Sequence, residues 1–186
     1  MIKIDNISFG YTKTPVLNNF SLTIGDNDKI CLFGESGCGK TTLLRLILGL
    51  EKPQKGSINK TKGKAAVVFQ DNILLPFKTV LENITLMGAD KDTALFQLKA
   101  LGIESFANSL PDELSGGMQR RAAIARALST DFDFLVLDEP FTGLDQRNTE
   151  NVSNLINEIL GDRPLIMVTH SKAEAELLNC KIKELI

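Results

Sequence analysis

Apolar and polar residues alternate in two stretches near the start of the chain. Isoleucine recurs within residues 2–7, and Phe20, Leu22 and Ile24 lie two residues apart. Because successive side chains of a strand point to opposite faces, this spacing predicts two half-buried strands. The stretch between them, GYTKTP (10–15), is rich in turn-forming residues and predicts their connection.

Longer apolar runs, bounded by glycine or polar residues, predict further strands. They are KICLF (29–33), GSIN (56–59), KAAVVFQ (64–70), DFLVLDEP (133–140) and PLIMVTH (164–170). Elsewhere the apolar residues recur three and four apart, as they do along one face of a helix. This spacing predicts a helix through about Leu50 and others that contain Ala122 to Leu128, Val152 to Ile159, and KAEAELL (172–178).

Residues 71–120 differ in texture, with polar helical segments separated by short breaks. The segments are TVLENITLM (79–87), KDTALFQLKALGI (91–103) and ESFANSLPDEL (104–114). Outside this region strands alternate with helices, which indicates an α/β fold with a mostly parallel sheet. We interpret residues 1–186 as one domain, with a core of 1–70 and 121–186 and a helical sub-domain inserted at about 71–120.

Composition narrows the class of partner and the compartment. The chain of 186 residues has 21 basic and 23 acidic residues and no basic stripe, which argues against a nucleic-acid partner. Three cysteines without CxxC spacing favour a reducing compartment, and we expect the cytosol. The N-terminus has no long apolar run, and no stretch approaches the roughly 18 apolar residues of a membrane helix.

A glycine loop, GESGCGKTT (34–42), lies between a predicted strand and a predicted helix. It fits the pattern GxxxxGK[ST], whose glycines let backbone N–H groups surround a β-phosphate. Lys40 would reach the β- and γ-phosphates, and the Thr41 hydroxyl would bind Mg²⁺. A chance glycine turn is the alternative, and the flanking strand and helix argue against it.

The apolar run FLVLDE (134–139) ends in two carboxylates. A phosphate-loop protein carries its metal-binding aspartate at the end of such a strand, so Asp138 is the candidate that holds Mg²⁺ through water. Glu139 is the candidate that orients or deprotonates an attacking water. An acidic turn before Pro140 is the alternative interpretation.

A second glycine stretch, Ser115-Gly116-Gly117, opens the helix predicted through Leu128. Backbone N–H groups at a helix start bind anions, so this stretch is a second candidate phosphate site. One nucleotide does not need two such sites within one chain. The second site therefore raises the question of which phosphate it binds.

The order of the glycine loop, LSGGM and LVLDEP resembles the ATPase subunit of ABC transporters, over essentially the whole chain. The resemblance implies a P-loop NTPase fold, with a mostly parallel sheet, a small antiparallel β region and an inserted helical sub-domain. It also implies an ATPase that uses ATP and Mg²⁺ to drive transport. The implied nucleotide-binding residues are Tyr11, Gly34, Glu35, Ser36, Gly37, Cys38, Gly39, Lys40, Thr41 and Thr42, and the signature, which acts on another subunit's nucleotide, is Leu114, Ser115, Gly116, Gly117 and Met118.

Further residues match family motifs that lie at strand ends and loops. Gln70 matches the Q-loop, Asp145 the D-loop and His170 the switch histidine. The implied catalytic residues are Glu139, His170, Lys40 and Gln70, and the implied metal-binding residues are Thr41, Gln70 and Asp138. Polar caps of strand ends are the alternative for Gln70 and His170, and a surface turn is the alternative for Tyr11.

Two kinds of partner follow from the resemblance. In a head-to-tail homodimer, the Ser115 loop of one subunit would complete the nucleotide site of the other. Arg120 and Arg121 oppose the dipole of their helix, and we expect the partner's triphosphate to compensate them. Membrane permease subunits would contact Gln70–Phe77, where residues 74–77 are apolar. A local core of the helical sub-domain is the alternative for this apolar segment.

The sequences of two segments, LLPFKTVLENI (74–84) and LSGGM, are most similar to those of importer ATPases of the nitrate, sulfonate and taurine group. This favours a peripheral subunit on the cytoplasmic face of the cell membrane. An exporter or lipid-extraction ATPase and a soluble assembly ATPase of the iron–sulfur scaffold type share the motifs and stay open. A DNA-repair ATPase does not fit, because only 75 residues separate Lys40 from Ser115 and no heptads occur.

Overall fold

The computed structural model describes residues 1–12, 14–35, 37–60 and 63–185. The chain forms two compact units. The first unit comprises Met1–Ala65, Asp133–Val136 and Asp162–Ile186, and the second comprises Ala66–Phe132 and Leu137–Gly161. Within the described ranges, none of the helices is both long and apolar enough to cross a membrane.

Strands alternate with helices along most of the chain, as predicted for an α/β fold. The strands are β1 (Ile2–Phe9), β2 (Leu17–Ile24), β3 (Lys29–Phe33), β4 (Lys55–Lys60), β5 (Ala65–Val68), β6 (Phe134–Asp138), β7 (Leu165–Val168) and β8 (Lys181–Glu184). The α-helices are α1 (Lys40–Leu48), α2 (Val80–Thr85), α3 (Lys91–Ala100), α4 (Gly116–Leu128), α5 (Gln146–Leu160) and α6 (Lys172–Leu177).

A three-stranded antiparallel sheet has the order β2-β1-β4. β1 pairs with β2 so that Ile4 lies opposite Leu22, and with β4 so that Ile4 also lies opposite Ile58. Ile4 and Ile7 are buried, which confirms the half-buried strand that their spacing predicts.

The larger sheet has the order β5-β6-β7-β3-β8, and β3 is parallel to both of its neighbours. Cys31 of β3 lies opposite Met167 on one side and Ile182 on the other. Strand β8 is missing from the prediction, because its four residues are all exposed and give no apolar run. The mostly parallel sheet predicted from the alternation of strands and helices is confirmed.

The helical region contains one segment that the sequence misassigns. Residues 104–114 form two short 3₁₀ turns, Glu104–Phe106 and Pro111–Glu113, in place of a polar helical segment. Proline disfavours the helical conformation at the residue before it, and Leu110 accordingly has an extended backbone with ψ 155°. Pro111 therefore prevents one continuous helix over residues 104–114.

A single buried amide fixes the apolar segment 73–77 against α2. Asn83 is 1% exposed, and its Oδ1 accepts a hydrogen bond of 2.8 Å from the Leu75 backbone N–H. Its Nδ2 donates to the carbonyl oxygens of Leu75, Lys78 and Thr79 at 3.0–3.2 Å. Thr79 and Glu82 form a capping box at the start of the same helix. The backbone of the loop is thereby paired with one side chain of the helix that follows it.

We predict that Asn83→Ala lowers the free energy of unfolding by about 1–3 kcal/mol, because it leaves backbone groups of the loop without their partner. Urea denaturation followed by circular dichroism measures the change. Asn154→Ala is the matched control, since Asn154 is exposed on α5, and it should shift the free energy by less than about 0.5 kcal/mol. Equal effects of the two substitutions would contradict the role assigned to Asn83.

Candidate functional site

The glycine loop leaves β3 and enters α1 through left-handed backbone conformations. Gly37 has φ 86° and Gly39 has φ 102°, values that glycine adopts at little cost. Lys40 is the first residue of α1 and is 8% exposed. Its Nζ donates to the carbonyl oxygens of Gly34 at 2.7 Å and of Glu35 at 2.8 Å. The loop therefore encloses an ammonium group whose partners are neutral.

Close packing explains two of the glycines. A Cβ atom at Gly34 would lie 2.8 Å from both the Cys38 Sγ and the Leu185 carbonyl oxygen. A Cβ atom at Gly39 would lie 2.8 Å from the Val16 Cγ1. Such distances are shorter than van der Waals contact, so a larger residue would displace the loop. Ser36, predicted as a nucleotide-binding residue, lies outside the described residues.

A cavity of about 550 Å³ lies at the carboxyl ends of β3, β7 and β8. It is lined by Phe33, Gly34, Glu35, Cys38, His170, Glu184 and Leu185. The structure thus brings the predicted His170 together with the start of the glycine loop. Glu184, the last residue of β8, and Leu185, which follows it, are absent from the prediction, because β8 has no apolar run.

The turn that carries His170 is fixed by a buried neighbour. Thr169 is fully buried, and its hydroxyl donates to the Glu174 carboxylate. The same hydroxyl accepts a hydrogen bond of 3.1 Å from the Ser171 N–H. His170 is exposed between these anchored residues, so its imidazole lies at the protein surface within the cavity.

Tyr11 belongs to the same unit as the glycine loop and is 56% exposed. Its ring meets Phe9 edge to face, with the centroids 5.1 Å apart. Phe9 is buried, so this contact supports one part of the tyrosine ring while the rest faces solvent.

In the second unit, the two predicted carboxylates differ in burial and backbone. Asp138 ends β6 and is 2% exposed. Glu139 is partly exposed and has φ 49°, a left-handed conformation that costs a non-glycine residue roughly 1–2 kcal/mol. Such strain recurs at functional positions and persists only where the surroundings impose it.

The guanidinium of Arg120 binds the backbone on both sides of Glu139. Arg120 is 2% exposed, and its Nη2 donates to the carbonyl oxygens of Asp138, at 2.6 Å, and Glu139. Its Nε donates to the Pro140 carbonyl at 3.1 Å. Its Nη1 donates to the carbonyl of Phe69, to that of Gln70 at 3.2 Å, and to Asn72 Oδ1 at 3.3 Å. Arg120 is absent from the predicted site residues, because its acceptors are carbonyl oxygens distant in the sequence, which no local pattern records.

Burial lowers the pKa of Arg120, while the charges of Asp138, Glu139 and Asp71 act in the opposite direction. Arginine nevertheless stays charged near neutral pH. Arg121 donates to the carbonyl oxygens of Leu101 at 2.7 Å and Gly117 at 3.3 Å. Carbonyl oxygens of the same chain thus satisfy N–H groups of both arginines but leave their charges in place, so compensation by a partner's triphosphate stays a prediction.

The signature segment begins α4. Ser115 is exposed and caps the helix by accepting a hydrogen bond of 3.4 Å from the Met118 N–H, whereas Leu114 is buried. Gly116 is exposed with open space around its Cα. A Cβ atom at Gly117 would lie 3.1 Å from the Gly143 carbonyl oxygen, so this glycine allows the chain before Asp145 to approach.

The remaining predicted residues of this unit lie on exposed segments. Gln70 is exposed at the end of the strand β5 region. Asp145 is exposed and caps α5, accepting from Asn148 N at 2.8 Å and Asn148 Nδ2 at 2.9 Å. In the apolar segment 73–77, Phe77 is 72% exposed and Ile73 is 56% exposed. Phe77 therefore contributes little to a local core.

Comparisons with known proteins agree with this geometry. The ABC transporter family model matches residues 17–142. The ergothioneine transport ATP-binding protein EgtV of Helicobacter pylori (strain G27) is 38% identical, and the match covers all of this chain and 97% of that protein. The aliphatic sulfonates import ATP-binding protein SsuB 2 of Pseudomonas syringae pv. tomato is also 38% identical, over 97% of this chain and 79% of the relative.

Solved structures show the same architecture. The dimeric bacterial ABC transporter cassette MJ0796 has a TM-score of 0.86 and 32% identity, over 100% of this chain and 94% of that one. A post-hydrolysis state of the same cassette, bound to ADP and Pi, has a TM-score of 0.86 and 30% identity. The chain belongs to the ATP-binding subunits of the ABC transporter family. It is an ABC-type ATPase with the P-loop fold.

We predict that N-ethylmaleimide inactivates the ATPase by modifying Cys38, and that ATP protects it. Cys38 lines the cavity, and its Sγ is 4.0 Å from the Lys40 Nζ, so an adduct there would block the loop. Cys31 is buried, and burial raises the pKa of Cys180 to about 12, so its unreactive thiol form persists near neutral pH. The ATPase rate after treatment is the measurement.

Cys38→Ala is the control for this experiment, and treatment should leave its own rate unchanged. Equal inactivation with and without ATP would contradict the placement of Cys38 at the nucleotide.

Proposed function

We propose that this protein is the ATPase subunit of an ABC importer and that it hydrolyses Mg²⁺-bound ATP to drive uptake of a small solute. The observation that carries the proposal is the glycine loop, with a buried ammonium at its centre and His170 on the same cavity. An enclosed cation next to free space is suited to a polyphosphate.

The nucleotide is held by the loop and by one aromatic ring. Residues 34–42 bind the phosphates, and Lys40 exchanges its two carbonyl partners for phosphate oxygens when ATP arrives. The half-exposed Tyr11 stacks on the adenine, a contact worth about 1–3 kcal/mol for a base on an aromatic ring.

The chemistry of three side chains fits Mg²⁺. Thr41 offers a hydroxyl, Gln70 an amide oxygen and Asp138 a buried carboxylate, and magnesium prefers such oxygen ligands together with phosphates and water. When bound, the ion neutralises charge on the β- and γ-phosphates.

Hydrolysis requires an oriented water and stabilisation of the γ-phosphate. Glu139 accepts the proton of the attacking water, and its backbone conformation sets the direction in which its side chain leaves the main chain. His170 donates a hydrogen bond to the γ-phosphate, and Gln70 reports whether that phosphate is present. Lys40 stabilises the charge that develops on the phosphate oxygens.

The second glycine stretch serves another copy of the chain. In a head-to-tail homodimer, residues 114–118 of one subunit bind the nucleotide held by residues 34–42 of the other. The exposed Ser115 and the open space around Gly116 support this assignment. Asp145 contributes at the same dimer contact. The dimeric cassette MJ0796 provides the precedent for two copies that associate.

The membrane partner binds the exposed segment Gln70–Phe77. Its apolar side chains, with Phe77 72% exposed, are suited to a socket in a permease subunit. We propose that the protein accordingly lies on the cytoplasmic face of the cell membrane. Its relatives include ATP-binding proteins for the transport of ergothioneine, aliphatic sulfonates and taurine, so we propose a small organic solute.

For the domain organisation, we propose one ATPase domain over residues 1–186, with a helical sub-domain at about 71–120.

We predict that Glu139→Gln binds ATP but hydrolyses it about 10²–10⁴-fold more slowly, because the base is lost and the shape is kept. With ATP the variant should elute from a sizing column as a dimer. Glu150→Gln is the control, since Glu150 is exposed on α5. A variant that stays monomeric with ATP would contradict the shared site.

We predict that Phe77→Asp preserves the ATPase rate of the isolated subunit but abolishes solute uptake in cells, because a charge replaces the apolar anchor. Radiolabelled uptake of candidate sulfonates measures the effect. Phe96→Asp is the matched control, because Phe96 is a 56% exposed aromatic residue on α3, and uptake should persist. Undiminished uptake in the Phe77 variant would refute the docking segment.

A further inference from the structure

The guanidinium of Arg120 joins two backbone segments that are far apart in the sequence. Nη1 donates to the segment 69–72, which contains the Gln70 carbonyl, and Nη2 and Nε donate to the segment 138–140, which contains the Glu139 carbonyl. Five of the six acceptors are backbone carbonyl oxygens. These contacts constrain the main chain, so they fix the positions of the Cα atoms from which the side chains of both segments extend.

A third segment is connected through Asn72. Its Oδ1 accepts from Arg120, and its Nδ2 donates to the Gly116 carbonyl at 3.3 Å. Arg120 itself lies one turn after Gly116 on α4. The helix that begins with the signature is therefore linked to the other two segments by the same group of hydrogen bonds.

We propose that Arg120 is a positioning residue for hydrolysis, which holds Gln70 and the strained Glu139 in their working places by binding the carbonyl oxygens of both segments. The inference rests on the proposed function, because it assigns Glu139 the role of base. It goes further by naming the group that maintains the left-handed backbone at Glu139. Arg120 contacts neither nucleotide nor water in this role.

The planar fork of the guanidinium allows Arg120 to bind two backbone segments at once. Its donors point in fixed directions within one plane, so one side can bind residues 69–72 while the other binds 138–140. Lysine keeps the positive charge but presents its donors from a single nitrogen. Glutamine has a shorter side chain and only two N–H donors. Arg120→Lys therefore separates the geometry of the fork from the charge.

The test combines kinetics with a measurement made without nucleotide. We expect Arg120→Lys to lower kcat at least about tenfold, because small displacements of catalytic groups cost up to about 10²-fold. The Kd of ATP, measured by calorimetry, should change less than about threefold. Hydrogen exchange of peptides that cover 69–72 and 138–142 should accelerate in the nucleotide-free variant. Arg126→Lys, a partly buried arginine elsewhere on α4, is the matched control for all three measurements.

A double-mutant cycle shows whether Arg120 acts through Glu139. In the Glu139→Gln background, Arg120→Lys should lower the residual rate by less than about twofold, because residues that act as a unit are not additive. A full multiplicative loss would overturn the inference, as would an unchanged kcat or unchanged exchange in both segments. An equal loss of ATP affinity and kcat would indicate a general structural role and would also overturn it.

Different results would contradict the proposed function and the role of Arg120. If the unmodified protein does not hydrolyse ATP, or if Glu139→Gln hydrolyses it at the normal rate, the assignment of the base is wrong, and the inference falls with it. If Glu139→Gln is inactive and Arg120→Lys is fully active, only the inference is wrong.

Discussion

Hydrogen bonds from a buried cation to backbone carbonyl oxygens shape the functional loops of both units. In the first unit the Lys40 ammonium binds the carbonyls of Gly34 and Glu35, and in the second the Arg120 guanidinium binds those of residues 69–70 and 138–140. Burying a charge is costly unless it is well hydrogen-bonded, so each loop must keep its carbonyls turned inward. The conformations of the surrounding residues, including the left-handed Glu139, follow from that requirement.

Carbonyl partners have a different electrostatic consequence from carboxylates. A carbonyl dipole satisfies an N–H donor but leaves the net charge of the cation in place, whereas a carboxylate cancels it. Lys40 can therefore exchange neutral partners for a polyphosphate without first breaking an ion pair. Arg120 is in another situation, because its carbonyls belong to the segments that hold it and it has no free path to solvent. The same kind of contact thus serves binding at Lys40 and rigidity at Arg120.

Local signals in the sequence predict the elements whose structure is decided locally. The glycine loop is predicted because strand, glycines and helix are contiguous. β1 and β2 are predicted because less exposed apolar residues alternate with exposed ones over 2–5 and 20–24. Strand β8 is not predictable in this way, since all four of its residues are exposed and only its pairing with β3 orders it. The role of Arg120 is not predictable from the sequence for a related reason. Its partners lie about 20 and 50 residues away, and no periodicity records a contact between a side chain and distant carbonyls.

Two helix caps, Ser115 and Asp145, belong to the dimer contact of the proposed function and differ in what they can offer a second subunit. Ser115 uses an oxygen lone pair to accept from the Met118 N–H, and its hydroxyl proton remains available to an anion. Capping α4 and donating to a phosphate are therefore compatible. Asp145 differs, because each of its carboxylate oxygens already accepts from Asn148. Its remaining lone pairs can still accept from a partner chain, but it has no proton to donate. Ser115 is thus suited to phosphate and Asp145 to donors of the opposing subunit.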